Sequence, residues 1–253
     1  MKEEIALAAQ LMERSACTVA FTGAGISVES GIPPFRGADG LWAKYDPVFI
    51  EISYFYQHPT ESWKKIREVF YDCIGKAMPN PAHRALAELE EMGRLHAVIT
   101  QNIDGLHQKA GSRTVHEFHG TTTTLSCGKC SARYAATQER LRVIPPVCDE
   151  CGRILKPDFI FFGEMIDPEV IEKSMTAGEN ASVMLVIGTT GEVMPACRIP
   201  FLAKQNGAYI IEINPEESAL TPDITDIFIR MNASEAMSRL KSDVETLIQK
   251  DCT

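Results

Sequence analysis

The chain has 253 residues, enough to bury a large core, with hydrophobic and charged fractions of 45% and 23% that are ordinary for globular proteins. A net charge of −9 repels phosphate backbones, which argues against a dedicated nucleic-acid binder; it suits a basic polypeptide partner, although acidity also serves solubility alone. No run approaches the ~20 apolar residues of a membrane span, and the first ten residues carry early acids without a sustained apolar segment, so a cytoplasmic protein with no membrane partner is expected.

A first helix is predicted from Ile5, Ala8, Ala9 and Met12, spaced i, i+3, i+4, i+7. The apolar run Cys17–Thr22 then ends abruptly at Gly23-Ala24-Gly25. Residues 37–75 are rich in aromatics, among them Trp42, Tyr45, Phe49 and Trp63, and read as loop plus helices. Pro81 suits a first helical position, and Ala82, Leu86, Leu89 and Met92 follow on one face. Further short apolar runs lie at 96–100, 182–188 and 208–213, and a last helix opens at Asn232-Ala-Ser-Glu235, read as a cap with an acid three positions on. Near-continuous apolar strands alternating with helices predict an α/β fold: a Rossmann-like parallel sheet covered on both faces. Residues 37–75 and 125–156 break the alternation. They are expected to form a small lobe, a helical insertion plus a cysteine module, beside a large lobe made of about 1–36, 76–124 and 157–253. Ligands of such sheets bind at the carboxyl ends of the strands, so the crevice between the lobes is the expected site.

Of the eight cysteines, Cys127-x2-Cys130 and Cys148-x2-Cys151 form a compact group separated by seventeen residues. Two such knuckles present four thiolates tetrahedrally, the arrangement of a structural zinc; with all four positions taken by sulfur, no site stays open for catalysis. A redox dithiol is the alternative. Gly23-Ala24-Gly25 directly after a strand is a phosphate-binding signal, because glycines let backbone N–H groups approach an anion. Alone it is weak. The third glycine of the dehydrogenase fingerprint is replaced by Val28, which disfavours an NAD-linked oxidoreductase.

Further motifs follow in order: Gly23 through Gly37 as a whole (GAGISVESGIPPFRG), Thr100-Gln-Asn-Ile-Asp104, His119-Gly120, the four cysteines, Phe162-Gly-Glu164, Gly188-Thr-Thr190 and Ile213-Asn-Pro215. In this order and spacing the chain resembles the sirtuin family from about residue 3 to 250. The resemblance implies NAD-dependent removal of acetyl, or other acyl, groups from protein lysines, with NAD consumed and nicotinamide, O-acetyl-ADP-ribose and free lysine released. It implies that Gly23, Ala24, Gly25, Phe35 and Arg36 cover NAD, with Arg36 near the phosphates. Gln101 is expected at the nicotinamide ribose, and Asn102, Ile103 and Asp104 at the nicotinamide pocket. Gly188, Thr189, Thr190 and Asn214 are expected at the adenosine half. His119 matches the catalytic base, assisted by Asn102. The acylated peptide is expected to add as a strand beside Phe162, Gly163, Glu164 and Val193, with Ile160, Phe162 and Val193 walling an apolar acyl-lysine tunnel.

These residue types suit the chemistry. Capture of the ribose carbon by the acyl oxygen must be followed by activation of a ribose hydroxyl, and histidine titrates in the range that task needs. His58, His83, His96, His107 and His116 carry ordinary structural readings, as helix starts or exposed positions. The chain departs from the family at Pro34, where an acid is common; at Thr190, where serine is commoner; at Gly191-Glu192, which replaces an apolar pair; and at Met231-Asn232, which replaces Gly-Lys. Mono-ADP-ribosyl transfer shares the first bond cleavage and remains an alternative, and a zinc-ribbon binding module without catalysis is a third reading.

Overall fold

In the computed structural model, which describes residues 2–35, 37 and 40–251, the apolar runs become fully buried strands. These are β1 (Thr18–Thr22), β2 (Ala97–Thr100), β7 (Val183–Ile187) and most of β8 (Tyr209–Asn214). With β3 (Val115–Glu117) and β9 (Ile227–Arg230) they form a six-stranded sheet in the order β3-β2-β1-β7-β8-β9, every neighbouring pair parallel. The strand order reverses between β1 and β7, which opens a crevice at the carboxyl ends of those two strands. The edge strands β3 and β9 were not anticipated. Both are short and only partly buried, so neither carries a long apolar run.

One face of the sheet packs against the helices Lys2–Arg14, Pro81–Glu91 and Ala233–Asp251, through Ile5, Met12, Leu86, Leu89, Met237, Leu240 and Val244. The other face packs against Pro168–Asn180 and Arg198–Gln205, around Phe21, Met184, Ile199 and Ile210. The three helices read from sequence periodicity fall where expected. The start of the last one differs in its cap. Glu235 pairs forward with Arg239, and the Ser234 amide donates instead to the Glu29 carboxylate at 2.9 Å.

A second sheet, β5-β4-β6, is antiparallel, with β4 at Gly120–Cys127, β5 at Arg133–Ala135 and β6 at Leu155–Phe159. Its hydrophobic cluster joins it to the aromatic insertion. Trp63, Phe55 and Phe70 are buried with Leu125, Leu155 and Phe161, and the Trp63 indole donates to the Leu155 carbonyl at 2.8 Å. The two irregular stretches of sequence thus share one core. Among the described residues no helix is long and apolar enough to cross a membrane.

Candidate functional site

A cleft of about 740 Å³ lies where the strand order reverses, bounded by the ends of β1, β2, β7 and β8 and by the segment 159–166. Its floor is a close crossing of main chains. The Gly25 amide donates to the Gly188 carbonyl at 2.8 Å, and the Gly23 amide to the Ile187 carbonyl at 3.0 Å. A Cβ on Gly25 would stand 2.6 Å from the Gly188 Cα, and one on Gly23 would stand 2.7 Å from the Gly188 oxygen. Both glycines are therefore demanded by the approach of one strand end to another. Their amides are spent inside the chain and not offered to an anion, a difference from the sequence-based reason for the motif. Ala24 between them lines the cleft, as do Phe35, Gln101, Asn102, Ile103, Gly188, Thr189, Thr190 and Asn214. Arg36 lies outside the described residues.

Under this floor runs a buried polar network. Asn102 Nδ2 donates to the Gly23 carbonyl and to Ser27 Oγ, each at 3.1 Å, while the Ser27 hydroxyl donates to Asp104 Oδ2 at 2.7 Å. Asp104 Oδ1 accepts from the Leu106 amide at 2.9 Å. Burial holds the Asp104 carboxyl above its usual range despite these donors. His83 and His107 lie against each other behind the network, with ring centroids 4.9 Å apart and planes tilted by 60°. Burial depresses the first to about 4 and the second well below the usual range, so both are neutral near pH 7. Sequence reasoning gave them ordinary roles and missed Ser27 and the pair. The available local signal was Asn80-Pro81 with His83: Asn80 caps the helix Pro81–Glu91 in a reciprocal box, and its Nδ2 reaches the Ile26 carbonyl at 2.7 Å.

His119 ends the turn between β3 and β4 and lines the same cleft. Its Nδ1 lies 3.0 Å from the Gln101 carbonyl, an acceptor only, so Nδ1 carries the proton and Nε2 is left as the lone-pair nitrogen. Burial lowers the pKa, partly offset by that carbonyl, and the imidazole is neutral at pH 7. Gln101 in turn donates from Nε2 to Thr189 Oγ1 at 3.0 Å. Asn214 Nδ2 donates to the Thr189 carbonyl at 2.9 Å. The expected nicotinamide, base and adenosine residues are thereby joined by direct contacts.

Across the cleft Ile160, Phe162, Gly163, Glu164 and Val193 all line the wall. One expectation needs correction. The Phe162 amide donates to the Ile50 carbonyl at 2.9 Å, and its carbonyl accepts from Ile52 at 3.0 Å. The main chain of Phe162 is therefore already paired with the aromatic insertion, and a peptide cannot add there. Glu164 is likewise engaged: its Oε2 accepts from the Phe161 amide at 2.7 Å and from Lys156 Nζ at 2.9 Å. The Gly163 and Met165 amides make no hydrogen bond among the described residues. The Gly191 departure also has a physical reason, since its φ is +71° and a Cβ there would stand 2.5 Å from Leu220.

The four cysteines Cys127, Cys130, Cys148 and Cys151 bring their sulfurs within 4.8 Å of one another. Each knuckle turns back through a left-handed residue, Ser131 at φ +60° and Gly152 at φ +68°, and the turns are closed by Ser131 N–H to Cys127 O and Gly152 N–H to Cys148 O. Tetrahedral zinc–thiolate sites have Zn–S near ~2.3 Å, which implies S···S separations near ~3.8 Å. The pairs Cys127–Cys151 and Cys130–Cys148 stand at 3.4 and 3.5 Å.

Comparison with known proteins agrees with this geometry. The model of the Sir2 family matches residues 23–195. The chain belongs to the Sir2 family. The matched stretch includes the glycine crossing, His119, the cysteine module and the Phe162 segment. An NAD-dependent protein deacylase of Pyrococcus abyssi is 44% identical over 251 residues, spanning 95% of this chain and 98% of that protein. The corresponding deacylase of Thermococcus kodakarensis is 44% identical over 253 residues, spanning 95% and 96%. A Sir2 homologue solved in complex with NAD superposes with a TM-score of 0.87 at 42% identity, covering 95% of this chain and 93% of that one. A Sir2 protein solved with a p53 peptide and NAD gives 0.85 at 35% identity, covering 94% and 97%. The Sir2 likeness of this chain therefore extends through β8, β9 and the last helix, beyond residue 195.

Proposed function

We propose that this Sir2-family chain is an NAD-dependent protein lysine deacylase acting chiefly on acetyl-lysine. The observation that carries the reading is the imidazole of His119, held in one tautomer by the Gln101 carbonyl with Nε2 as its base nitrogen at the cleft. Bound NAD supplies the electrophilic ribose carbon that receives the acyl oxygen as nicotinamide departs. Ala24, Phe35, Gln101, Ile103 and the Asn102–Asp104 corner hold its nicotinamide side, and Thr189, Thr190 and Asn214 its adenosine side. His119 Nε2 removes a proton from a ribose hydroxyl, while Nδ1 keeps its own proton and donates it to the Gln101 carbonyl. The apolar wall of Ile103, Ile160, Phe162 and Val193 keeps water from the reacting acyl group. The peptide main chain pairs with Gly163, which sequence suggested, and with Met165, which replaces Phe162.

The cysteine geometry fits zinc held by Cys127, Cys130, Cys148 and Cys151, a closed set that supports structure and not turnover. The described cysteines form no disulfides, in keeping with a cytoplasmic, reducing environment. We read the chain as one catalytic domain with a large lobe (about 1–36, 76–124 and 157–253) and a small lobe (37–75 and 125–156). The separate core around Trp63 and Leu125 supports that division.

Mass spectrometry of NAD incubated with and without an acetyl-lysine peptide tests the activity. Peptide-dependent nicotinamide and O-acetyl-ADP-ribose are expected, and their absence would remove the reading. His119→Ala should cut turnover by ~10²–10⁴-fold with an unchanged circular dichroism spectrum; near-normal turnover would assign the base elsewhere.

A further inference from the structure

We propose that Glu212 is a positioning residue that sets which end of the Asn214 amide faces the cofactor; this rests on the reading of Asn214 as a ligand of the adenosine half. Glu212 lies on β8 two residues before Asn214, so the two side chains stand on one face of the strand. It is fully buried at 0% exposure. Three donors surround it: Asn214 Nδ2 reaches Oε1 at 3.2 Å, and the Thr221 and Thr225 hydroxyls reach Oε2 at 2.8 and 2.7 Å. No cation is paired with it among the described residues. A buried carboxylate in such a place needs a reason, because desolvating it is costly unless every lone pair is used.

The reason lies in Asn214. Its amide could point either way, since oxygen and nitrogen occupy nearly the same volume. Here it meets two groups that only accept, the Glu212 carboxylate and the Thr189 main-chain carbonyl. Only the NH₂ can satisfy both. Oδ1 must then turn away from the protein, and it takes no hydrogen bond from the described residues although the side chain lines the cleft. Asn214 accordingly presents an acceptor, the partner a ribose hydroxyl donates to. Without Glu212 a flipped amide would lose one acceptor fewer, and a donor could face the cleft. The two threonines bring the loop after Asn214 into the same device, holding the carboxylate from the side opposite the amide.

The test compares Glu212→Met, which fills the space without an acceptor, with Glu212→Gln. Glutamine can keep its oxygen toward Asn214 and turn its NH₂ to the threonine hydroxyls, both able to accept. The probes are NAD and its analogues lacking the 2′- or the 3′-hydroxyl of the adenosine ribose, in peptide deacetylation assays with matched thermal melts. The unaltered enzyme should lose about tenfold in kcat/KM for NAD with one analogue, the scale of one hydrogen bond. Glu212→Met should raise KM for NAD about tenfold, leave KM for the peptide unchanged, and abolish the penalty for the missing hydroxyl; Glu212→Gln should keep that penalty. Retention of the full penalty in Glu212→Met, or its loss in both variants, would overturn the proposal. If Glu212→Met does not fold, side-chain amide exchange by NMR decides on the unaltered protein. The Asn214 NH₂ protons should exchange slowly without NAD and show no further protection with it; protection gained only on NAD binding would overturn the assignment. Absence of any turnover in the unaltered enzyme would instead count against the deacylase reading itself.

Discussion

The floor of the cleft and the cysteine module are both built where the chain must turn sharply, and they are stabilised by different means. At the floor, β1 and β7 deliver Gly23, Gly25 and Gly188 into main-chain contact, and the strands on either side are buried without interruption. Apolar packing on both faces of the sheet stabilises that contact, and Ser27, Asn102, Asp104 and Glu212 each find hydrogen-bond partners inside. The module between β4 and β6 has a three-stranded sheet and one shared core with the aromatic insertion. Its own turns converge four sulfurs, two of them within that core and Cys130 exposed, in an arrangement that a metal would hold together. One region holds its geometry by burial, the other by ligation, so they should fail under different challenges.

Metal removal is the largest of these. Chelation should unfold the module first, because thiolate-held zinc contributes ~10–16 kcal/mol of apparent binding energy in small peptides. Metal analysis should find one zinc per chain, and hydrogen exchange after chelation should rise in β4–β6 while β1, β2 and β7 stay protected. Equal loss of protection in both sheets would mean that the two regions are not held by different means.

Acid should attack the floor instead. His83, depressed to about 4 by burial, binds fewer protons folded than unfolded between that value and its ordinary pKa near 6.5. Its contribution is complete above about pH 6.5 and is lost as pH falls toward 4, at most about 3 kcal/mol. His107 acts in the same direction, and the raised Asp104 opposes them at the acid end. Denaturant midpoints should therefore drop between pH 6.5 and 4.5, and a His83→Asn variant should show a shallower drop. The lowered pKa of His119 predicts in addition that kcat/KM stays flat down to below pH 6.5 before falling as the base of the free enzyme is protonated.

A smaller change sharpens the same point. Gly25→Ala places a methyl 2.6 Å from the Gly188 Cα, and forced separation of packed strands costs typically ~1–3 kcal/mol. The melting temperature and the KM for NAD should both worsen with zinc content unchanged. Unaltered NAD affinity would mean that the crossing does not shape the site.

The smallest effect concerns the wall that joins the two regions. Among the described residues no lysine or arginine lines the cleft. A succinyl carboxylate would be buried without a partner. Acetyl-lysine should exceed succinyl-lysine in kcat/KM by at least about tenfold on one peptide; the reverse order would show that a cation reaches the site from elsewhere.

Much of this protein was determined locally. Uninterrupted apolar runs such as Val183–Ile187 can only be strands buried on both sides, and two Cys-x2-Cys knuckles leave few alternatives to a shared metal, because both depend on the spacing of neighbouring residues. The ordered motifs from Gly23 to Asn214 placed the candidate site at the strand ends, where the cleft lies. The short edge strands β3 and β9 escaped notice because a half-exposed strand of three or four residues has no periodic signature. Other features were decided only by tertiary contacts between segments far apart in the chain. Phe162 resembles a free peptide-binding edge until Ile50 and Ile52 occupy its main chain. Gly191 looks like a lost apolar contact until Leu220 fills the space beside it. His83 and His107, ordinary in sequence, become a neutral buried pair because the helix Pro81–Glu91 and the segment after β2 are pressed together. Burial and hydrogen-bond partnership are properties of the assembled neighbours, and a residue acquires them only when the chain closes around it.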